Sequence, residues 1–247
     1  MVTTGAVYVA LEGWEASGKS TQADLLAEVL EAVRVREPGG TALGDGIRGL
    51  LLHGAEVAPR AEALLFAADR AHLIETVVRP ALEAGHNVVS DRSYLSSLAY
   101  QGHGRGFGVE ELRRLNLWAL GGTIPDLVVY LHMPLEQAAA RLGHDRDRLE
   151  SEAEAFHRSV VEGYSDLVRN DPDHWAEVDA GGSVVEVQNR IRSTLAERLG
   201  LELPLLTEVR TAEPVPERGE TVTAEPAPES GETVTAEPVP EPGDGSR

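Results

Sequence analysis

Short apolar runs alternate along the chain with longer segments whose apolar residues recur every three or four positions. The run at 7–12 is almost wholly apolar, which predicts a buried strand. The segment 19–32 follows with Leu26, Val29 and Leu30 on one side, which predicts an amphipathic helix. The chain therefore begins with a strand that runs into a helix.

The same two patterns predict the remaining elements. Further strands are predicted at Val33–Arg36, 87–90, 127–131 and 175–178. Further helices are predicted at 47–52, from Pro59 with an interruption or kink at Pro80, at Val109–Leu120, 134–142, 150–168 and Val184–Leu199, with a glycine-rich loop at 102–108. Strands that alternate with helices favour a parallel sheet covered on both faces, so we expect an α/β fold with a doubly wound five-stranded parallel sheet.

The composition changes after residue 204. A segment that begins at Ala212 with A-E-P-V-P-E recurs with small changes at Ala224 and begins again at Ala236. Repeats this short and this rich in proline and glutamate cannot bury a core, which predicts a disordered acidic tail at 205–247. The folded domain is predicted to span 1–204.

The net charge of −19 argues against a nucleic-acid partner. The predicted tail contributes −7 of it and the predicted domain −12. A nucleic-acid binder needs a basic face, whereas a small anionic substrate needs only a local cluster of arginines and backbone N–H groups. No apolar run approaches the length of a membrane span, and the first residues lack the basic and apolar segments of a signal peptide, so neither a membrane nor export is expected.

Cysteine and lysine usage narrows the chemistry. The chain has no cysteine, which excludes disulfides, thiolate zinc sites and a cysteine nucleophile, and agrees with a cytoplasmic location. Of its 22 basic residues only Lys19 is a lysine. A compact ammonium fits between phosphate oxygens where a planar guanidinium is too wide, so Lys19 marks a position at which arginine cannot substitute.

Lys19 lies in a phosphate-binding motif. Residues 13–20 match G-x-x-x-x-G-K-[ST] between a predicted strand and a predicted helix, which is the setting of a P-loop. The backbone N–H groups and the helix N-terminus would hold the phosphates of ATP, Lys19 would reach the β- and γ-phosphates, and the Ser20 hydroxyl would bind Mg²⁺. The predicted ATP-binding residues are Gly13, Trp14, Glu15, Ala16, Ser17, Gly18, Lys19, Ser20 and Thr21.

Three further segments carry charged and aromatic side chains near predicted strand ends. They are R-E-P-G-G-T from Arg36, F-A-A-D-R from Phe66, and D-R-S-Y-L-S-S-L-A-Y-Q from Asp91. Ligands bind at the carboxyl ends of strands in α/β sheets, and Asp91 is placed to act on the Mg²⁺ shell. Taken singly, Phe66 could instead be a core residue and the charged positions surface ion pairs.

Together with the P-loop, these segments resemble the bacterial thymidylate kinases over 7–199. The resemblance implies a P-loop NTPase-type fold with a mobile lid, a homodimer, and the reaction ATP + dTMP → ADP + dTDP. It implies that Phe66 stacks on the thymine, Arg70 hydrogen-bonds its carbonyl edge, and Arg92 bridges the donor and acceptor phosphates. The substrate-binding residues it implies are Arg36, Glu37, Pro38, Phe66, Arg70, Arg92, Ser97, Tyr100 and Gln101, with Ser20 and Asp91 at the metal.

The resemblance also implies a catalytic arginine. In the family it lies either in the P-loop or, when the P-loop carries an acid, in the lid. This P-loop has Glu15 and no arginine, so the resemblance assigns the role to Arg141 or Arg146 in a lid at about 141–150. The catalytic set is then Lys19, Arg92, Glu15 and one of these lid arginines, with Glu15 orienting the acceptor sugar or a metal-bound water.

Three alternatives stay open from the residues. One is a P-loop kinase for another pyrimidine nucleotide. A second is a GTPase switch, which would need an N-K-x-D segment that a chain with one lysine, at Lys19, does not have. The third is a binding protein that has lost catalysis.

Overall fold

The computed structural model describes residues 5–141 and 147–208. Its centre is a five-stranded, all-parallel sheet in the order β2-β3-β1-β4-β5. The strands are β1 (Tyr8–Glu12), β2 (Val33–Arg36), β3 (Val88–Asp91), β4 (Leu127–His132) and β5 (Trp175–Asp179). All five predicted strands are present within one or two residues of their expected bounds, so the predicted α/β class is confirmed.

The helices cover the sheet. They are α1 (Lys19–Leu30), α2 (Ala42–Arg48), α3 (Pro59–Leu73), α4 (Arg79–Glu83), α5 (Tyr94–Ser97), α6 (Val109–Leu120), α7 (Leu135–Arg141), α8 (Glu154–Asn170) and α9 (Val184–Leu199). Local signals explain several helix starts. Pro59 occupies the first turn of α3, Thr41 caps α2, and Ser183 and Glu186 form a capping box at α9. Within the described residues, no helix is long and apolar enough to cross a membrane.

Strand register brings the polar strand ends together. β1 is central and fully buried, and Leu11 pairs with Asp91 of β3, which in turn pairs with Arg36 of β2. Glu12 pairs with Tyr130 of β4 on the other side. The carboxyl ends of four neighbouring strands therefore meet at one edge of the sheet, where α/β proteins bind ligands.

Three π-helical turns depart from the sequence prediction. Gly49–His53 continues α2, Ile74–Val78 joins α3 to α4 just before Pro80, and Leu98–Gly104 continues α5. The glycine-rich loop predicted at 102–108 was thus wrong over its first three residues, which are helical. Hydrophobic spacing does not distinguish an i→i+5 backbone turn from an α-helical one, and glycine composition was misread as a loop.

One helix boundary differs from its prediction, and two predicted segments lie largely outside the described residues. The helix predicted at 150–168 begins at Glu154, because Asp147 and Glu150 bind each other's backbone N–H groups in a preceding turn. The lid predicted at about 141–150 is described only at its two ends, since 142–146 lie outside the described residues. The acidic tail predicted at 205–247 lies almost wholly outside them as well.

α8 packs closely against the turn at Leu98–Gly104, which carries Tyr100 and Gln101, through two glycines. A Cβ atom on Gly163 of α8 would lie 2.7 Å from Cγ of His103. A Cβ atom on Gly104 would lie 2.5 Å from the Phe156 ring. The two helices approach this closely only because both positions lack a side chain.

We expect Gly163→Ala to lower the free energy of unfolding by roughly 1–3 kcal/mol relative to Gly46→Ala, because only the first alanine overpacks a contact. Gly46 is the matched control, since it also lies inside a helix and an added Cβ there meets nothing within 4 Å. Urea unfolding of both variants measures the difference. Equal stability changes would show that the glycine contact is not tight.

Candidate active site

The P-loop connects β1 to α1 and wraps closely. Gly13 has φ 146°, and a Cβ atom there would lie 2.8 Å from the Leu131 carbonyl oxygen, so only glycine fits. Gly18 adopts a left-handed conformation immediately before α1. Lys19 is buried, and its Nζ donates to the Trp14 carbonyl oxygen at 2.6 Å. The loop therefore curves back over its own lysine and presents the start of α1 to the cleft.

Ser20 and Asp91 lie side by side at the edge of the sheet. Ser20 Oγ donates to Asp91 Oδ2 at 2.6 Å, and Arg34 lies 3.3 Å from the same oxygen. Burial alone would raise the pKa of Asp91, but the charge of Lys19, the Ser20 hydrogen bond and the charge of Arg92 outweigh it and lower that pKa. Asp91 is therefore an ionised carboxylate beside a hydroxyl, and both groups can ligate a metal ion through oxygen.

A cleft of about 260 Å³ opens in front of these groups. Most of the predicted site residues line it, and they reach it from the P-loop, the end of β2, α3 and the segment after β3. They are Glu15, Ala16, Lys19, Ser20, Arg36, Glu37, Pro38, Phe66, Arg70, Asp91, Arg92, Ser97, Tyr100 and Gln101. The structure therefore brings the P-loop and the three polar segments into one cavity.

Arg92 occupies the middle of this cleft. Its φ of 72° is unusual for a side chain larger than glycine, and it turns the guanidinium over the P-loop. The guanidinium donates to the Gly13 carbonyl oxygen at 3.4 Å and to Glu15 Oε1 at 3.2 Å, and lies 5.2 Å above the Tyr100 ring. These contacts fix a cation between the P-loop and the aromatic wall.

Glu15 is only half satisfied. Its Oε1 accepts from the Tyr100 hydroxyl and from Arg92. Its Oε2 is buried and has no partner among the described residues. A buried oxygen without a donor is costly, so this atom is suited to accept a hydrogen bond from a ligand hydroxyl in the cleft.

Arg70 is almost fully buried and is held from four sides. Its Nε donates to Glu37 Oε2 at 2.6 Å, one terminal nitrogen donates to Ser97 at 3.3 Å and to Asn116, and the other donates to the Ser93 carbonyl oxygen at 3.3 Å. A guanidinium has five N–H donors, so one remains for a ligand. Phe66, one helical turn earlier on α3, forms the adjacent apolar wall.

Glu37 carries a second orphan oxygen. Its Oε1 is buried and unpartnered among the described residues, while Oε2 pairs with Arg70. Burial raises the pKa of Glu37 to about 7, against the opposing charge of Arg70. The carboxyl is therefore partly protonated near neutral pH, and its free oxygen can either accept or donate.

Some predicted residues do not line this cleft. Trp14 turns away and packs edge-on against His157 at 5.4 Å, and Thr21 is solvent-exposed on α1. Arg36 does line the cleft, but it is 50% exposed and pairs with Asp45. Arg141 is exposed at the end of α7, outside the cleft lining, and Arg146 lies outside the described residues.

Sequence reasoning missed two important groups. Glu12, the last residue of β1, is fully buried and accepts from Ser93, Ser96 and Tyr164. A glutamate closing an apolar strand was the available signal. Arg48 of α2 lines the cleft and donates to the Pro38 carbonyl oxygen at 3.0 Å, and its sequence context carried no signal.

A phosphate-binding loop and a slot for a planar group thus open into the same cavity, which is the arrangement of a P-loop kinase for a small nucleotide. The thymidylate kinase family model matches residues 11–191. A thymidylate kinase of Synechococcus sp. (strain JA-3-3Ab) is 46% identical over 205 residues, covering 80% of this chain and 99% of the relative. One of Clavibacter sepedonicus is 50% identical over 186 residues, covering 71% of this chain and 87% of the relative.

A solved structure agrees with these relatives. The crystal structure of thymidylate kinase from Ehrlichia chaffeensis has a TM-score of 0.66 and 26% sequence identity, covering 77% of this chain and 98% of that one. The chain belongs to the thymidylate kinase family. It is a nucleoside-monophosphate kinase that phosphorylates dTMP with ATP as the donor, which confirms the resemblance inferred from the motifs.

The environment of Lys19 predicts the pH dependence of ATP use. Burial, followed by the charge of Arg92, lowers the pKa of Lys19 to about 8, although Glu15, Asp91 and Glu12 oppose the shift. The cationic form that attracts phosphate is therefore lost in the free enzyme as pH rises through this value. We expect kcat/KM for ATP to fall about tenfold per pH unit above about pH 8.

Steady-state kinetics from about pH 6.5 to about pH 10 at a fixed dTMP concentration would measure this, because kcat/KM for ATP reports groups of the enzyme before ATP binds. The pH profile of kcat should decline less, since bound phosphate holds the proton on Lys19. A flat kcat/KM up to about pH 10, near the ordinary lysine value, would contradict the prediction.

Proposed function

We propose that this cleft transfers the γ-phosphoryl group of Mg²⁺-ATP to the phosphate of dTMP through the residues described above. The observation that supports it most strongly is that Lys19, Arg92 and Phe66 line one cavity. A phosphate oxygen of dTMP attacks the γ-phosphorus while the bond from that phosphorus to the β,γ-bridging oxygen breaks, so ADP leaves and dTDP forms. The attacking oxygen is already anionic, so no protein base is required.

On the donor side, Lys19 neutralises the β- and γ-phosphates, and Ser20 and Asp91 would hold the metal. Among the described residues, no group of three or more acidic or histidine side chains is arranged to hold a metal ion by itself. A site of one hydroxyl, one carboxylate, phosphate oxygens and water suits Mg²⁺, which usually binds few protein ligands. When bound, Mg²⁺ would neutralise negative charge on the phosphates in the transition state.

On the acceptor side, Arg92 holds the dTMP phosphate in line with the donor. Glu15 accepts a hydrogen bond from the sugar hydroxyl through its unpartnered Oε2, while Tyr100 and Arg92 hold its other oxygen. Electrostatic groups positioned before the reaction supply most of the stabilisation in such transfers.

The base lies against Phe66 and is read by hydrogen bonds. Arg70 offers its one free N–H to a thymine carbonyl oxygen, and Ser97 and Glu37 fix the guanidinium that carries it. Arg36 and Pro38 border the acceptor phosphate. Arg141 or Arg146 completes the charge stabilisation from the lid, and this assignment stays a prediction from the resemblance.

An acceptor panel tests this proposal. We expect dTMP to be the best substrate, dUMP to be slower by roughly 10- to 100-fold for want of one methyl contact, and dCMP to be worse still. ADP release would be followed for dTMP, dUMP, dCMP, UMP and AMP.

Lys19→Ala and Lys19→Arg should both lose nearly all turnover. The alanine variant lacks the charge that neutralises the phosphates, and the guanidinium of the arginine variant does not fit the loop. Near-normal turnover by the arginine variant, or equal use of dCMP, would refute the site.

We also propose that the protein is a homodimer, as the resemblance implies. Trp118 on α6 is 81% exposed, and Leu117 beside it and Leu64 on the neighbouring α3 are exposed as well. Large exposed apolar side chains on two adjacent helices are typical of an interaction surface. The cytoplasmic location likewise stays a prediction.

Trp118→Glu should convert the dimer to a monomer at micromolar concentration, because it places a charge on that surface. Light scattering coupled to gel filtration measures the mass. The matched control is Arg158→Glu, a charge reversal at an exposed position of α8 whose side chain pairs only with Glu154 in the described residues. A monomeric wild type, or a dimer unaffected by Trp118→Glu, would contradict this interface.

A further inference from the structure

A buried carboxylate behind the cleft is not accounted for by the mechanism above. Glu62 lies on α3 one turn before Phe66 and two turns before Arg70, and it is fully buried. It does not line the cleft itself. Burying a charge costs free energy unless hydrogen-bond donors surround it. The donors around Glu62 therefore indicate which side chains it positions.

Both Glu62 oxygens are occupied. Oε1 accepts from Gln101 Nε2 at 2.8 Å and from Arg105 Nε at 3.3 Å. Oε2 accepts from a terminal nitrogen of Arg105 at 3.0 Å and from Arg148 at 2.6 Å. These donors keep the pKa of Glu62 below its usual value even though burial opposes them, so the side chain is an ionised acceptor. Gln101 is the one partner that lines the cleft.

This contact decides which end of the Gln101 amide faces the ligand. An ionised carboxylate only accepts hydrogen bonds, so the amide nitrogen of Gln101 must turn toward Glu62. The amide oxygen then points the other way. Among the residues that the structure describes, Gln101 Oε1 has no hydrogen-bond partner, although the side chain as a whole is buried.

We propose that Glu62 is a positioning residue that sets base specificity, because it turns the Gln101 oxygen into the cleft to accept the imide N–H of a thymine or uracil ring. This inference rests on the proposed function and deepens it. Thymine carries a hydrogen at N3, whereas cytosine has a lone pair there, which the Gln101 oxygen would repel. Arg70 and Gln101 then read adjacent positions of the same ring edge, one as donor and one as acceptor.

Arg105 and Arg148 determine which end of a side chain at position 62 can face Gln101. Arg148 is fixed by donating to the Leu51 carbonyl oxygen at 2.8 Å, and Arg105 also pairs with Glu152 at 2.6 Å. Both guanidiniums therefore need a hydrogen-bond acceptor on the side chain at position 62. In Glu62→Gln the new amide oxygen turns to these arginines, which leaves its NH₂ facing Gln101. Gln101 must then rotate and present its own NH₂ to the cleft.

Glu62→Gln should therefore lower kcat/KM for dTMP and raise it for dCMP, shifting their ratio at least about tenfold toward dCMP. Both acceptors would be measured at saturating ATP, with the dissociation constants of dTMP and dCMP determined by calorimetry. Gln101→Leu should lose the same discrimination. The double variant should be no worse than Gln101→Leu, because both changes remove one interaction.

Glu152→Gln is the matched control. It removes the other carboxylate that binds Arg105 but has no contact with Gln101 in the described residues, so it should leave the dTMP to dCMP ratio within about twofold. A role of Glu62 in packing alone would slow both acceptors together and leave their ratio unchanged. That result, or an equal ratio change in Glu152→Gln, would overturn the inference.

Gln101→Leu keeps the test decisive if Glu62→Gln fails to fold. Discrimination retained by Gln101→Leu means that its oxygen does not read the base, and the inference is wrong. A wild type that binds dTMP in preference to dCMP but does not phosphorylate it would refute the proposed function, while the calorimetric ratios would still decide the role of Glu62.

Discussion

The carboxylate of Glu12 is the contact on which the rest of the site depends. It accepts five hydrogen bonds, from the backbone and hydroxyls of Ser93 and Ser96 and from the Tyr164 hydroxyl. It thereby joins the end of β1 to the segment after β3 and to α8. Arg92 precedes Ser93 directly, and the P-loop follows Glu12 directly, so one buried charge fixes the distance between the phosphate loop and the central arginine. Losing it would leave these donors unpaired and release both segments.

Three other buried carboxylates, those of Glu15, Glu37 and Asp69, have an oxygen without a partner in the described residues, and the first two line the cleft. Glu15 and Glu37 each use one oxygen on an arginine and leave the other unpartnered in the described residues. An unmade hydrogen bond in the interior costs about 1–3 kcal/mol, which stable packing alone would not favour. A ligand with hydroxyl or N–H donors recovers this energy on binding. The same reasoning distinguishes two pairs of glutamates. Both oxygens of Glu12 and Glu62 accept hydrogen bonds from the protein, which is a structural role. Glu15 and Glu37 each keep one oxygen that a substrate can use.

The sequence was sufficient for the parts that depend on local pattern. Alternating apolar runs predicted five strands because each strand is buried over most of its length, and the P-loop was recognised because its chemistry lies in eight consecutive residues. The contact of Glu12 with Tyr164 joins residues 152 positions apart, and no spacing rule anticipates it. Glu62 looked like an ordinary polar residue in the first turn of a helix. The π-helical turns escaped prediction because they change backbone hydrogen bonding and leave the hydrophobic period almost intact.

Charge placement explains how a strongly acidic chain can bind two anionic nucleotides. The net charge of −19 is spread over the molecule, whereas Lys19 and Arg92 lie at one cleft with low solvent exposure. Distant surface charges are screened by salt within about 10 Å, but buried neighbours interact strongly. After burial, the charge of Arg92 is the largest cause that lowers the pKa of Lys19, so the two cations repel each other. Phosphate charge placed between the two cations removes that repulsion. ATP already carries this charge when it binds, so the pair of cations stabilises the bound nucleotide in the ground state as well as in the transition state.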